Sequence, residues 1–495
     1  MIGLAYILLI SFSMLALIRA LDSGQLRHLI GVREFAAVSI LPAAASVTSN
    51  YAVFAISVFS FLVFVPASLE HRTRLLLFSI TLLPAFSLYV VAPPPINQLV
   101  QVSYTVLLMV GCLVGSFAAW SERAGAGVGR WDMLILLVAT VFLIIDARET
   151  SVTNFMRSAL QQALNIGLPY FILSRGLSKS VFPARVLLSL ILAACILAGI
   201  AGFESLRHWL LYAGMDVGAD PEMLSGYTKQ RAGALRGQAT FPEPTTLSLF
   251  LGLALVMLFA LRRSVGSVAR ALMFVVLAFG LVFTFARVGF LVSIVGLVAC
   301  LIYERRWGLV ALIAASAPPI WYSTRALGTA IPTIGEMIGL SGDAVITVEY
   351  RRRLSERMFA LIREHPFFGV SRTDIQIMLD DLRQGEGIID LVNGHFAVML
   401  QAGVAGWLAL MLAVAFALHS TWRDRRSQHD GSSAAVFSSM AALQAALFTT
   451  ALIGRNLLWF VVLLAFAAGL SVRRRHEAKN APAAMASSLP RPASA

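Results

Sequence analysis

The stretch RVLLSLILAACILAGIAGF, residues 185–203, contains no charged residue after its first position. It is long enough to cross a bilayer as a helix, which takes about 20 mainly apolar residues. Similar runs recur along all 495 residues, and 58% of the chain is hydrophobic whereas only 13% is charged. Because soluble domains carry about 25% charged residues, this composition and a mean hydropathy of +0.79 predict an all-α polytopic membrane protein.

The hydropathy pattern predicts a bundle of about twelve to fifteen transmembrane helices. The segment 35–69 is interpreted as two short helices or one broken helix, because Pro42 and the sequence SVTSN interrupt it. The candidate spans are 3–18, 35–48, 51–69, 75–92, 98–120, 131–146, 158–174, 185–203, 245–262, 269–286, 288–304, 307–322, 396–418, 436–453 and 456–471.

The basic residues predict the orientation of these spans and argue against nucleic-acid binding. The net charge is +13, but the Lys and Arg residues cluster in short loops between spans, as the positive-inside rule requires of cytoplasmic loops. Alternation of the spans then places two long polar segments, 204–244 and 323–395, on the side opposite to the cytoplasm. The basic loops are 121–130, 261–270, 304–306, 422–428 and 472–479.

This pattern divides the chain into four parts. The first spans occupy 1–203, and a core of 204–418 includes the long loop 323–395. Further spans occupy 419–471, and the tail 472–495 is predicted to be cytoplasmic and, from Asn480, disordered because it is rich in Ala, Pro and Ser.

No metal or cofactor is expected. The three cysteines lie within apolar runs without metal-ligand spacing and are interpreted as buried thiols: Cys112, Cys195 and Cys300.

The loop 323–395 is predicted to be folded. In the sequence EYRRRLSERMFALIREHPFFG, apolar residues recur at helical spacing and Pro366 ends the pattern, which predicts a helix over 346–364. A second helix is predicted over 371–384, where Ser371 and Asp374 form a capping-box pattern. Two amphipathic helices on this side of the bundle would form a lid over its mouth.

Four ionisable residues lie at the predicted outer ends of spans, where such groups are functional candidates. They are Arg236, Arg287, His395 and Arg455. Each also has a structural interpretation: the arginines are possible snorkelling anchors, and a lone histidine is more often a hydrogen-bonded residue than a catalyst. Two further candidates have the same ambiguity, because Arg352 belongs to a basic run on the lid helix and His365 precedes Pro366.

Four segments in order resemble the O-antigen ligase and O-antigen polymerase superfamily of bacterial membrane proteins. That family shows an Arg and a Phe before a Pro at a span start, a T-x-[SA]-R-x-G turn, a hPffG element in a large periplasmic loop, and a His opening the next span. The resemblance covers residues 231–418. The matching segments are RGQATFPEPTTLSLFLGLAL (236–255), FTFARVGFLVSIVGL (283–297), REHPFFGVS (363–371) and NGHFAVMLQAGVAGWLALML (393–412).

The resemblance implies transfer of a glycan from undecaprenyl pyrophosphate to a hydroxyl of an acceptor glycan, in the bacterial inner membrane. Arg236 and Arg287 would bind the departing pyrophosphate, because a guanidinium group binds such oxygens bidentately. His395 would orient or deprotonate the acceptor hydroxyl. Substrate binding would further involve Arg231, Glu243, Arg352, His365 and Arg455.

Departures from the family pattern leave the reaction subtype open. Phe396 stands where the family has an asparagine, Ser371 replaces a second glycine, and FPEPTT is closer to polymerases than to ligases. The first interpretation is therefore a polymerase of O-antigen or exopolysaccharide repeat units, with a chain-length regulator as a candidate partner. The alternatives are a ligase that transfers the glycan to lipid A-core or a protein, and a lipid-linked oligosaccharide flippase. Polar groups collected at one membrane edge favour transfer over transport, since transporters place them at the midplane.

Overall fold

The computed structural model is 80% helical, which confirms the predicted all-α class. It describes residues 2–22, 24, 26–48, 50–65, 67–84, 87–90, 100–117, 129–148, 150–212, 230–231, 233–331, 335–336, 338–341, 343–383, 389–426 and 430–487.

Helices of the N-terminal half follow the predicted spans. The interrupted segment after residue 31 forms two separate helices, and Asn50 caps the second through its side chain. The helices are α1 Ile2–Leu21, α2 Leu26–Leu29, α3 Val32–Val47, α4 Tyr51–Phe64, α5 Leu69–Leu82, α6 Tyr104–Gly115, α7 Arg130–Ala147, α8 Val152–Gln162, α9 Leu168–Ser178 and α10 Pro183–Arg207, with a π-helical turn Ala163–Gly167 between α8 and α9.

The candidate spans 75–92 and 98–120 are wrong at the ends that face each other. Helix α5 ends at Leu82, and strands β1 (Ser87–Val90) and β2 (Val100–Ser103) pair antiparallel before α6 begins. Leu83 has an extended backbone because the ring of the following proline, Pro84, disfavours the helical conformation. A proline thus ends the helix although the apolar run continues.

The C-terminal half contains the long loop and the last spans. A short hairpin pairs β3 Gln230–Arg231 with β4 Ala234–Leu235. The helices are α11 Pro244–Ala260, α12 Ser267–Phe283, α13 Arg287–Tyr303, α14 Trp307–Ala330, α15 Asp343–Glu364, α16 Arg372–Met378, α17 Gly394–Arg423, α18 Ser432–Ala446 and α19 Gly454–Ser487, with 3-10 turns at Asp380–Leu382 and Asp424–Arg426.

Two predictions for this half differ from the structure. Helix α19 continues to Ser487, so the tail is helical from residue 472 to that point, where the sequence predicted disorder from Asn480. Its last eight positions, 488–495, lie outside the described residues. The second lid helix is also shorter than predicted, since α16 ends at Met378.

Several described helices are long and apolar enough to cross a membrane by length and composition. Four of them have at least 18 residues: Ile2–Leu21, Pro183–Arg207, Gly394–Arg423 and the part Gly454–Arg475 of α19. Shorter apolar helices include Pro244–Ala260, Ser267–Phe283 and Arg287–Tyr303. Together with the low charge content, these helices identify a polytopic membrane protein.

Helices of the core approach closely through small residues, as in other membrane bundles. Helix α13 packs between α11 and α18, and α10 packs against α5 and α12. A side chain at Gly252 would meet the backbone of Gly289, which itself lies against Ser248. The Ser248 hydroxyl donates to the Ala286 carbonyl at 3.1 Å and accepts from the Gly289 N–H at 3.1 Å. This contact fixes where α13 begins.

The basic segments 261–270 and 304–306 meet at one end of the bundle, which we call the basic end. The Gly266 N–H donates to Asp22 at 2.9 Å, which joins loop 261–270 to the end of α1. Arg262 forms an ion pair with Glu304 at 2.7 Å, which joins the same loop to the turn after α13. The opposite ends of α11, α12 and α13 carry the segment 236–244 and the turn 284–286, where the candidate arginines lie.

The lid helix α15 is confirmed, and it packs on α17. Ser371 is the N-cap of α16, because its Oγ accepts from the Asp374 N–H at 3.1 Å. The buried apolar side chains of the lid form a cluster of their own with the start of α17: Leu354, Met358, Ile362, Val370, Ile375, Leu379, Ile389 and Leu400.

Candidate functional site

The turn between α12 and α13 gathers arginines from two segments. Arg236 Nε donates to the Thr284 carbonyl at 3.1 Å, and Arg231 Nη1 donates to the Phe285 carbonyl at 2.8 Å. Phe285 has a positive φ of 49°, a conformation that is uncommon outside glycine. Arg287 follows two residues later as the first residue of α13. The turn therefore places Arg231, Arg236 and Arg287 at one site, as their predicted common role requires.

A buried glutamate holds the segment that carries Arg236. Glu204, near the end of α10, is fully buried and accepts hydrogen bonds from the N–H groups of Leu211 at 3.0 Å, Gln238 at 3.0 Å and Ala239 at 2.7 Å. The adjacent Gly237 N–H donates to the Phe283 carbonyl at 3.0 Å. These bonds fix the backbone next to Arg236, so the guanidinium is held by the fold and not by a free loop.

A fourth arginine, Arg351 of the lid helix, joins this group, which we call the arginine cluster (Arg231, Arg236, Arg287 and Arg351). Burial, followed by the positive charge of Arg231, lowers the pKa of Arg236 to about 10; Arg351 and Arg287 add to this effect, and Glu243 opposes it. Burial also lowers the pKa values of Arg231 and Arg351. The four guanidinium groups are therefore close enough to repel one another.

Acidic side chains offset only part of this charge. The negative charge of Glu336 raises the pKa of Arg231, and that of Glu243 raises the pKa of Arg236. The charge of Asp390 does the same for Arg351. Within the described parts of the chain, the guanidinium of Arg287 has no hydrogen-bond or carboxylate partner. Among the described residues, the cluster thus retains unbalanced positive charge, which is the electrostatic requirement of a site for an anion.

A glycine lets the segment before the lid helix pass close to Arg287. Gly339 has a φ of +90°, and a Cβ atom there would lie 2.5 Å from Arg287 Nη1. Any other residue would displace this guanidinium or the segment itself. Glu336 of the same segment interacts electrostatically with Arg231. The segment therefore lies beside both Arg287 and Arg231.

Neighbouring lid arginines have different surroundings, and the structure corrects which of them faces the cluster. Arg352, the predicted substrate-binding residue, is exposed and pairs with Glu349 at 2.8 Å and Glu356 at 2.9 Å on its own helix. Arg351 instead points inward, and its buried Nε has no hydrogen-bond partner among the described residues. Of these two lid arginines, Arg351 is therefore the one that lies near Arg231 and Arg236.

His395 lies at the start of α17, but both of its ring nitrogens are occupied. It is 5% exposed, and Trp407 Nε1–H donates to its Nδ1 at 3.2 Å. Nε2 lies 3.0 Å from the Gln444 carbonyl, so it carries the proton and donates it to that oxygen. A histidine bound in this way is a neutral structural residue, and the geometry does not support the predicted role as a base.

The HPFFG element fastens the lid to a break in α17. At Gly403 the helix is interrupted, with φ of 73° and ψ of 176°. The freed groups are satisfied by the turn, since the Val404 N–H donates to the Pro366 carbonyl at 2.8 Å and the Val370 N–H donates to the Leu400 carbonyl at 2.6 Å. His365, predicted to bind substrate, is the exposed residue after the last helical residue of α15. The HPFFG element therefore docks the end of the lid helix α15 on α17.

Arg455, another predicted substrate-binding residue, is buried within the bundle at this end. Its Nη2 donates to the Leu83 carbonyl at 2.6 Å, and its guanidinium lies 4.1 Å from the centre of the Phe241 ring. Phe241 in turn stacks on Phe250 of α11. Arg455 thus supports the segment that follows Arg236, and it is not part of the arginine cluster.

The remaining predicted residue, Glu243, is exposed immediately before α11 and acts electrostatically on Arg236. Sequence reasoning missed Arg351 and Glu204. The signal for Glu204 was a carboxylate at the end of a long apolar span, which is costly without partners.

No group of three or more His, Cys, Asp or Glu side chains that could hold a metal ion occurs in the described parts of the chain.

Comparison with known proteins gives one family match. A family model described as O-antigen ligase matches residues 272–396. This range includes most of α12, the turn that binds Arg231 and Arg236, and Arg287. It also includes the whole lid up to the start of α17. No curated protein matches the chain.

Proposed function

We propose that the chain, whose residues 272–396 match the O-antigen ligase family model, polymerises lipid-linked repeat units of O-antigen or exopolysaccharide. The donor is a glycan on undecaprenyl pyrophosphate, and the acceptor is a hydroxyl of a second glycan. The observation that carries this proposal is the arginine cluster, where three arginines meet at one turn inside the matched domain and a fourth comes from the lid.

The cluster suits a pyrophosphate because guanidinium groups donate paired hydrogen bonds to phosphate oxygens. In the transfer step, the acceptor hydroxyl oxygen attacks the anomeric carbon, the bond from that carbon to the pyrophosphate oxygen breaks, and the hydroxyl proton passes to the departing pyrophosphate. Negative charge gathers on the leaving group as the bond breaks. Arginines fixed beforehand by Thr284 and Phe285 stabilise that charge without rearranging, which is the most effective form of electrostatic catalysis.

This transfer does not require His395 to act as a general base. Pyrophosphate is a good leaving group, so stabilising its charge lowers the main barrier. We propose that Arg236, Arg287 and Arg351 contact the pyrophosphate directly and that Arg231 contributes charge beside them. Glu243 and Glu336 limit the repulsion among the arginines while the site is empty.

We further propose that the cluster faces the periplasm of a bacterium with the protein in its inner membrane. The basic loops meet at the opposite end of the bundle, and such loops are cytoplasmic by the positive-inside rule. A reporter enzyme that is active only in the cytosol, fused at Ser341, should therefore be inactive. Activity there would reverse the orientation.

Reconstitution tests the reaction and separates it from its alternatives. The full chain in proteoliposomes receives undecaprenyl-pyrophosphate-linked repeat units with and without lipid A-core. A polymerase yields a ladder of longer lipid-linked glycans from the repeat units alone, and this is the expected result. Transfer that requires lipid A-core would identify a ligase. Movement of the donor across the membrane without a new glycosidic bond would identify a flippase and overturn the proposal.

A further inference from the structure

A cavity of about 320 Å³ opens at the basic end, at the opposite ends of α11 and α13 from the arginine cluster. Its walls include Ala260 at the end of α11, Tyr303 at the end of α13, and Ala434 in the first turn of α18. The volume lies at the lower end of the range for ligand pockets, about 300–1,000 Å³. It is therefore large enough for a small charged group.

The walls of this cavity carry far more positive than negative charge. Its charged lining consists of one carboxylate, Glu304, and five arginines: Arg262, Arg263, Arg305, Arg306 and Arg425.

The single carboxylate already has two partners. Glu304 lies 2.7 Å from Arg262 Nη2 and 3.1 Å from Arg306 Nε. Among the described residues, no carboxylate pairs with the other three arginines of the lining. Those three guanidinium groups can therefore accept an anion without first breaking an ion pair.

The surroundings of two lining arginines indicate a built site. Arg425 lies with its guanidinium carbon 4.6 Å from the centre of the Trp422 ring. Its Nη1 is buried without a hydrogen-bond partner in the described structure, which is costly unless a ligand supplies one. Arg305 has a φ of +60° because it closes the end of α13, where the Arg306 N–H donates to the Leu301 carbonyl at 2.9 Å. This cap fixes the backbone that carries Arg305 and Arg306.

We propose that this cavity binds a phosphate group. Arginine is the side chain best suited to phosphate oxygens, because its planar group donates two parallel hydrogen bonds. Basic pockets between transmembrane helices on the cytoplasmic side bind the headgroups of anionic lipids. The phosphate belongs either to an anionic phospholipid of the surrounding leaflet or to a soluble phosphate compound, and the two sources are separated by experiment.

The test uses the purified full chain in detergent and a double variant, Arg263→Gln with Arg425→Gln. The matched control, Arg19→Gln with Arg27→Gln, removes two exposed arginines of α1 and α2 at the same end but outside the cavity. Native mass spectrometry measures retention of dioleoyl phosphatidylglycerol against dioleoyl phosphatidylcholine. A parallel titration with inorganic phosphate measures protection against thermal unfolding. Size-exclusion profiles show whether each variant remains folded.

We expect the wild type to retain phosphatidylglycerol in preference to phosphatidylcholine, and the cavity double variant to bind it at least about tenfold more weakly. Protection by inorganic phosphate that is lost in the same variant would identify a soluble source. The control and an Arg287→Lys variant should bind as the wild type does, which separates this site from the arginine cluster. Equal retention of phosphatidylglycerol together with equal protection by phosphate in the wild type and the cavity variant, or an equal loss in the control, would overturn the proposal.

Discussion

Arg236 donates a hydrogen bond from Nε to the backbone carbonyl of Thr284 at 3.1 Å, three residues before Arg287. This bond uses Nε, and among the described residues no hydrogen bond occupies Nη1 or Nη2, so both can donate to a ligand. The position of Arg236 therefore depends on the same turn that starts the helix of Arg287. One rigid element sets the spacing of two arginines, and this spacing is the basis of the proposed pyrophosphate site.

The lid should contribute through Arg351 and not through its neighbour. Arg351→Gln removes a partly buried charge of the cluster and should reduce transfer about 10²-fold, the usual scale for losing one fixed donor to a developing charge. Arg352→Gln is the matched control, because that side chain is exposed and paired with Glu349 and Glu356; such surface pairs contribute little. Turnover by the purified variants measures both. Equal activities would remove Arg351 from the site.

The HPFFG turn should need glycine at the break in α17. Gly403→Ala places a Cβ atom on the Phe367 carbonyl at a residue with φ of +73°, so the lid should detach or the helix should straighten, at a cost of about 1–3 kcal/mol. Limited proteolysis of α15 should become faster and activity should fall. Gly308→Ala is the control, since nothing lies within 4 Å of its added Cβ. An unchanged cleavage rate in Gly403→Ala would contradict the docking role.

His395 should matter for stability more than for catalysis. His395→Ala leaves Trp407 Nε1 and the Gln444 carbonyl without their partner, which should reduce the free energy of unfolding by about 1–3 kcal/mol. At saturating donor, the maximal rate of the folded fraction should stay within a few-fold of wild type between pH 5 and 9. A loss of about 10²–10⁴-fold at normal stability would instead restore its assignment as a general base.

The low pKa of Arg236 predicts a pH dependence with a defined sign. The charged form is disfavoured in the empty site, mainly by burial and next by Arg231, so the group keeps its proton below about pH 10 and loses it above. Pyrophosphate should therefore raise the thermal unfolding midpoint near pH 8, and this effect should weaken as the pH passes about 10. The cavity double variant Arg263→Gln/Arg425→Gln serves as background, so that binding at the basic end is excluded. A stabilisation that persists at pH 11 would show that Arg236 keeps its proton when pyrophosphate is bound, so that its lowered pKa does not limit binding.

The sequence predicted the helical membrane fold because apolar runs and basic loops depend on composition alone. The sequence also singled out Arg236 and Arg287 as candidates, since a charged residue at the end of a span is costly without a partner or a function. The hairpin of β1 and β2 was not predictable in this way. By hydropathy, the candidate spans 75–92 and 98–120 both extended into this hairpin. Pro84 decided where the first of the two helices ends.

Other site residues depended on tertiary contacts that have no local signature. Arg351 and Arg352 are adjacent and chemically identical, and they point about 100° apart on their helix. Only the docking of the lid decides which of them faces the cluster. The role of His395 was likewise set by residues distant in sequence, because Trp407 lies three helical turns later and Gln444 lies on α18.

The central claim is that the arginine cluster binds the pyrophosphate of the donor. The most direct measurement is the affinity of undecaprenyl pyrophosphate for the full chain and for Arg287→Lys, which keeps the charge but removes the planar pair of donors. Arg353→Lys, an exposed lid residue paired with Glu349, is the control. We predict binding at least about tenfold weaker for Arg287→Lys and unchanged binding for Arg353→Lys. Wild-type affinity in Arg287→Lys would contradict the account and leave Arg287 as a membrane-edge anchor.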